Sequence, residues 1–351
     1  MQDKSISKSA VMMLVIVITA VFGYEIFLRN KGAEISYDDG PELWSDKRAM
    51  VYEPSDKQVV FIGSSRIKYD LDIPTWEAQT QLKAIQLAMV GSTPRPALDD
   101  LANDADFKGK LIVDVTEPLF FLDLPPYHER PDKAIKYFHD RTPAQRVSFE
   151  LNHGLESQFV FLNKECFSMN AQLDAIAPPN RPGIFVMPQF PLGFECTQFD
   201  RQNYMTDSFA KDPARVGAVQ QIWGMLLKGP MPPPMNDKQI NDVMLAIKSS
   251  TDKIKARGGQ VLFVRTPSSG PFRKGEKMGF PREKYWNKLL AVTGCDGIHF
   301  EDYPETAHFI CPEFSHLSHG DAKLYTERFI KILSTHRNWE VARAKQLLTK
   351  L

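Results

Sequence analysis

Two short stretches, far apart in the chain, carry residue types that can act together on an ester. Gly63-Ser64-Ser65-Arg66 follows the apolar run Val59-Val60-Phe61-Ile62, and Glu313-Phe314-Ser315-His316-Leu317 lies near the far end. A serine hydroxyl is a poor nucleophile until a neighbouring base takes its proton, and a third group must orient that base. Glu313 precedes His316 by three residues, a spacing at which a turn brings the carboxylate to the imidazole Nδ1. There it would fix the tautomer and stabilise the imidazolium. Taken alone, Gly63-Ser64-Ser65 also reads as a plain turn, and a short Glu-x-x-His is a common pattern.

The elements that must position these residues follow from the pattern around them. A short apolar run that stops at a turn signal reads as a buried strand. Ligands in open α/β sheets bind at the carboxyl ends of such strands, which is where Ser65 falls. Further strands are expected at Ala84–Met89, Leu111–Val115, Ile184–Met187, Val261–Val264 and Ile298–Phe300, alternating with helices. The helices are expected at Trp76–Leu82, Pro96–Asn103, Asn236–Arg257, Lys284–Val292 and Asp321–Leu333. That alternation argues for βαβ units and a parallel sheet. Ile240, Val243, Met244, Ile247 and Ile254 give the 236–257 helix its apolar stripe, and Gly258-Gly259 ends it. An insertion from Leu119 to about Pro182 is rich in Phe, Tyr and His, with helical character around Ala144–Leu162. The tail beyond Arg337 reads as a charged helix.

At 351 residues, with 43 basic and 43 acidic side chains and a pI of about 7.1, the chain offers no net field to steer nucleic acid. Nucleic-acid partners are excluded on that ground. The N-terminus departs from this average. Ala10–Leu28 is a run of roughly 19 residues, apolar apart from Thr19, Tyr24 and Glu25, which at about 1.5 Å per helical residue nearly crosses a hydrocarbon core of about 30 Å. Lys4 and Lys8 precede it, and Arg29 and Lys31 follow, so the count of basic residues does not orient it. The short leading segment favours an uncleaved signal anchor over residues 1–28, with the body outside the cytoplasm (periplasmic in a Gram-negative cell). Glu25 is expected near the outer end, within reach of water. The rival is a cleaved signal peptide, for which Val21-Phe22-Gly23 is a poor site. Residues 29–57 are polar and turn-rich and read as a linker to a body spanning 58–335, with 336–351 as the tail.

Cys166, Cys196, Cys295 and Cys311 all lie in the proposed exported body. Their even number allows disulfides, with Cys295–Cys311 the pair to test first, and equally allows four buried thiols. No Cys-x-x-Cys or His-x-x-x-His spacing suggests a metal, and no cofactor is expected. Arg66 reads either as a grip for an anionic substrate group or as a structural partner of Asp70 or Asp72. His319 reads as a surface or supporting histidine. Ser268 and Ser269 form a turn that could also line the cleft. His128, His139 and His153 read as packed or exposed, and Trp223 and Trp286 as core or rim aromatics.

With these residues in view, the chain resembles the GDSL/SGNH hydrolases, in particular their membrane-anchored cell-envelope esterases and acyltransferases. Gly63-Ser64-Ser65-Arg66 looks like the first block, with Ser65 as nucleophile. Gly91 after the second strand matches the second block, and Glu313-Phe314-Ser315-His316-Leu317 the last, normally Asp-x-x-His. The resemblance spans about residues 58–335, but only these short motifs carry it. It implies a three-layer α/β/α flavodoxin-like fold and ester hydrolysis or acyl transfer. It also implies oxyanion donors at the Ser65 and Gly91 backbone N–H groups, each able to contribute roughly 3–4 kcal/mol. The third block departs: Asp114-Val115-Thr116-Glu117 is followed by no Asn, leaving Thr116 as the side chain able to donate there. Some members work beside membrane-bound O-acyltransferases, so such a partner and an acylated glycan or other ester substrate are implied. The missing Asn raises a second expectation, a catalytically silent module that binds an envelope polymer or a membrane enzyme.

Overall fold

Val59, Val60, Phe61 and Ile62 all lie out of solvent, as a strand covered on both faces requires. The computed structural model describes residues 2–174, 176, 188–229, 232–335 and 339. Five strands form the central sheet: β1 (Gln58–Ile62), β2 (Lys83–Gln86), β3 (Lys110–Asp114), β6 (Gln260–Arg265) and β7 (Asp296–His299). A separate antiparallel pair, β4 (Cys196–Thr197) with β5 (Asn203–Tyr204), lies between β3 and β6 in sequence. The large sheet runs β2-β1-β3-β6-β7 with every pairing parallel, Val60 opposite both Ile85 and Leu111 and Val264 opposite Ile298. The order reverses between β1 and β3, which opens a crevice at their carboxyl ends.

Alternating side chains divide the core in two. Val60, Ile62, Ile85, Leu111, Val113 and Phe263 pack on one face with helices Arg95–Asn103, Asp237–Ala256 and Trp286–Thr293. Val59, Phe61, Ile112, Leu262, Val264 and Ile298 pack on the other with helices Ile73–Thr80 and His319–Leu333. Helix Asp237–Ala256 opens on an Asn236–Gln239 capping box and ends before Gly258, whose φ is +86°. Helix Ile73–Thr80 starts earlier than expected because Asp72 caps it, accepting from the Thr75 N–H at 2.9 Å. It stops at Gln81, which turns left-handed at φ +60°.

Three expectations need correction. Residues 29–57 are no linker: helix Pro41–Arg48 buries Trp44, which donates to the Leu87 carbonyl at 3.0 Å. The polarity that suggested a linker is paired inside, with Arg48 buried against Asp100 and Asp104 at 2.6 and 2.8 Å. Glu25 does not reach water. It is buried, pairs with Arg29 at 2.7 Å and accepts the Val160 and Phe161 N–H groups at 3.0 and 3.3 Å. All four cysteines are free thiols, Cys166 half-buried and the other three buried. Cys295 and Cys311 belong to opposite core layers, so the sheet itself stands between them.

The insertion contributes helices Pro125–Asp140 and Pro143–Glu156 and a short 3-10 turn, Val160–Leu162. The strand expected at 184–187 and the tail beyond 337 lie outside the described residues, except for Trp339, which is buried. At the N-terminus, helix Gln2–Asn30 includes one stretch, Ile6–Asn30, long and apolar enough to cross a membrane.

Candidate functional site

Ser65 is carried to the sheet edge by a turn that tolerates no side chain at Gly63. A Cβ there would lie 2.6 Å from both Asp114 Cβ and Ile67 Cγ2. Ser64 stays extended as the N-cap, and Ser65 opens helix Ser65–Asp70. Behind it, three strand ends are tied together. Thr116 and Thr266 donate to the Asp114 carboxylate at 2.9 and 3.0 Å, and the Ser64 hydroxyl lies 2.6 Å from that of Thr116. Burial pushes the Asp114 carboxyl up, against the pull of the Arg66 guanidinium.

The loop before helix His319–Leu333 brings the second half. His316 Nε2 lies 2.8 Å from Ser65 Oγ, and His316 Nδ1 lies 3.0 Å from Glu313 Oε1. Glu313 is wholly buried and His316 nearly so. Glu313 Oε1 also accepts the Ser315 and His316 backbone N–H groups, and the Trp223 indole N–H donates to Oε2. An ionised carboxylate only accepts, so Nδ1 carries the proton and the Nε2 lone pair faces the serine hydroxyl. Tyr69 stacks on the imidazole with centroids 4.3 Å apart, which limits ring tilt.

The loop is held from four directions. Leu317 N–H donates to Asp70 at 2.9 Å, and Cys311 N–H to the Ser269 hydroxyl at 2.9 Å. Ser269 N–H donates to the Phe314 carbonyl at 2.8 Å, and Gln220 to that of Pro312 at 2.8 Å. Phe314 takes φ +82° between the two site residues, a conformation unfavourable for an aromatic residue. Its ring lies over Gly270, where a Cβ would come within 2.6 Å of it. Burial holds the Asp70 carboxyl well above its ordinary value, the Leu317 N–H pulling the other way and Asp114 and Glu313 adding to the rise.

Such an arrangement can move a proton from Ser65 to His316 and back to a leaving group. No protein-family model matches the chain, and no curated protein matches it. The chemical reading of the site therefore rests on its own geometry.

Of the other residues singled out in the sequence, Gly91 sits at φ +64°, just beyond β2. Leu87 and Met89 donate to the Phe61 and Gly63 carbonyls at 2.8 and 3.1 Å, which leads Gly91 along the edge beside the serine turn. Thr116 is buried and gives its single proton to Asp114. Arg66 pairs with neither Asp70 nor Asp72; its partner is Glu276 on helix Gly270–Gly279. Asp70 is engaged by Leu317 and Asp72 by the helix it caps, so Arg66 reaches across instead. Glu276 also binds Arg265, which in turn pairs with Glu117 at 3.0 Å. Ser268 donates to Glu276 at 2.7 Å, while Ser269 braces the loop. His319 lies 3.5 Å from Asp72 and against Tyr204, apart from the reacting pair.

A cavity of about 580 Å³ lies elsewhere, lined by Arg95, Asp99, His128, Asp132 and His139. His128 and His139 pair there with Asp123 and Asp100, each at 2.8 Å. His153 stacks on Phe199 at 4.1 Å, and Trp286 is core. Among the described residues no group of three or more His, Cys, Asp or Glu is placed to hold a metal.

Sequence reasoning missed Tyr69, the use of Trp223, and the Arg265–Glu276 pair. Tyr69 carried a signal, since a helix opening at Ser65 places the residue four on over the same face. Trp223 carried none: it lies on helix Pro213–Leu227, 90 residues before Glu313.

Proposed function

We propose that the protein is a serine esterase or O-acyltransferase that acts on an acylated, envelope-associated substrate. In this reading the N-terminal helix tethers it and the body lies outside the cytoplasm. The observation that carries the chemistry is the continuous hydrogen-bonded chain Ser65–His316–Glu313. Ser65 Oγ attacks the ester carbonyl while His316 Nε2 takes its proton. The Ser65 and Gly91 N–H groups receive the oxyanion; Ser65, at the first position of its helix, has no intrahelical acceptor. His316 then returns the proton to the departing alcohol. Water, or the hydroxyl of a second substrate, releases the acyl group by the reverse sequence. The order β2-β1-β3-β6-β7 is that of a flavodoxin-like sheet and supports the SGNH-like reading drawn from the motifs.

Ser65→Ala should abolish both turnover of p-nitrophenyl acetate and labelling by a fluorophosphonate. Undiminished labelling of that variant sinks the assignment.

One observation favours a second reading, a silent module that binds an envelope polymer or a membrane O-acyltransferase. The Thr116 hydroxyl proton is committed to Asp114, and Glu117 is held by Arg265. The oxyanion then lacks the third donor that the family's Asn supplies, a loss of about 10²–10³ in rate. Wild-type protein that forms no acyl-serine and cleaves no short-chain ester, yet co-purifies with such a membrane enzyme, selects this reading.

A further inference from the structure

The N-terminal helix is not clear of the body along its whole length. Phe22 meets Phe159 edge-on with centroids 6.3 Å apart, and Tyr24 lies 6.4 Å from Phe161. Glu25 holds the Val160 and Phe161 N–H groups, and Arg29 donates to the Gln158 carbonyl at 3.0 Å. The apolar residues clear of these contacts, 10–21, span about 18 Å at ~1.5 Å per residue, well short of a hydrocarbon core of about 30 Å. Toward the N-terminus the helix turns polar at Ser9, Lys8 and Ser7. A bilayer around this helix must therefore rise to the level at which Phe159 and Phe161 pack.

The body is apolar on the outside at just that place. On helix Pro143–Glu156, Val147, Leu151 and Leu155 recur at intervals of four and so share one face. Beyond the Val160–Leu162 turn, Met169, Leu173 and Ile176 follow at near-helical spacing. These six side chains are between 54% and 79% exposed. Other exposed apolar side chains of the body, such as Leu245, Met278 and Ile310, are scattered, which is ordinary for a protein surface.

We propose that this part of the insertion lies in the membrane, its two apolar faces sunk into the boundary between headgroups and acyl chains. The anchor's own contacts put the 158–161 turn at that depth, and the two faces flank the turn in sequence. Across 143–176 Arg146 and Lys164 are outnumbered by Glu150, Glu156, Glu165 and Asp174, so apolar burial drives the seating and anionic lipid is not required. The body is then fixed against the bilayer surface rather than swinging on a tether. This inference rests on reading the N-terminal helix as a membrane span, and is independent of the chemistry at Ser65.

The test uses the full-length protein in phosphatidylcholine vesicles that contain nitroxide-labelled lipid. An environment-sensitive fluorophore is placed on Val15→Cys, Leu151→Cys, Leu173→Cys or Met278→Cys, each with Cys166→Ser, since the other native thiols are buried. Probes at 151 and 173 should shift to shorter wavelength and lose most of their emission to a shallow nitroxide. The probe at 15 should respond to a deep nitroxide, and the probe at 278 to neither. Quenching at 15 with water-like emission at 151 and 173 overturns the seating and leaves the span standing. No quenching at 15 removes the span, and the seating with it. Probes at 151 and 173 shielded from aqueous iodide but untouched by lipid nitroxide mean that protein covers the face, which also overturns the proposal.

Discussion

Glu313 is wholly buried, and N–H donors meet both of its oxygens: Ser315, His316 and the imidazole on Oε1, the Trp223 indole on Oε2. Each donor fixes the carboxylate that fixes the imidazole. Trp223→Phe keeps the ring and removes the N–H. A hydrogen bond to a charged group is worth about 1.5–3 kcal/mol, so kcat/KM on p-nitrophenyl acetate should fall roughly 10–100-fold. The loss should appear mainly in kcat, because the indole acts through Glu313; a change confined to KM would show that Trp223 only lines the cleft. Glu313→Gln should cost more, about 10⁴ by the tautomer argument, because an amide NH₂ turned toward Nδ1 forces the imidazole proton onto Nε2. A smaller loss than that of Trp223→Phe would contradict the role given to Glu313.

At the scale of elements, the two halves of the site are held by turns rather than by regular structure. Gly270 stands at φ +54° with the Phe314 ring 2.6 Å from where its Cβ would be. Gly270→Ala must displace Phe314, and with it the loop joining Glu313 to His316. The backbone penalty of such a change is about 1 kcal/mol, so the variant should still fold while its activity falls at least tenfold. Activity equal to wild type would mean that the loop is positioned without Phe314. Gly63→Ala is different in kind. Its Cβ would meet Asp114 Cβ and Ile67 at 2.6 Å, both in the packed interior, so the expected loss is of stability, about 1–3 kcal/mol as for overpacking, read from a urea midpoint.

For the whole molecule, buried ionisable groups set the response to acid. Burial, aided by the nearby guanidiniums of Arg265, Arg282 and Arg273, holds His299 down at about 2. The folded protein therefore binds fewer protons there than the unfolded chain below about pH 6.5, and stability falls on acidification from that point. Burial raises Glu156 to about 7, Asp38 adding to the rise; its contribution has the opposite sign, lost as pH climbs through 7. Between about pH 4.5 and 6.5 these two oppose each other. Burial would also raise Glu276, but Arg265 and Arg66 outweigh it and hold it at about 2, so its contribution is present above about pH 4.5 and lost below. The raised Asp70 carboxyl acts in the same sense as Glu156, so the urea midpoint should fall more steeply below about pH 4.5 than between about 6.5 and 4.5. His299→Gln should raise the midpoint at pH 5 relative to pH 7; an unchanged profile would mean that His299 titrates normally in the fold.

The sequence alone determined what is local. β1, β3, β6 and the long helix before Gly258 were readable because an apolar run between turn signals, or a period near 3.6, is written in consecutive residues. Ser65, Glu313 and His316 were readable because three-residue spacing and a strand-end serine are local too. The tertiary structure alone decided which groups meet across long separations. It gave Arg66 to Glu276, Arg48 to Asp100 and Asp104, Glu25 to the Val160 turn and Trp223 to Glu313. It also set Cys295 and Cys311 on opposite sides of the sheet. Pairings of this kind depend on strand order and on what else is buried nearby, and no periodicity along a chain encodes either.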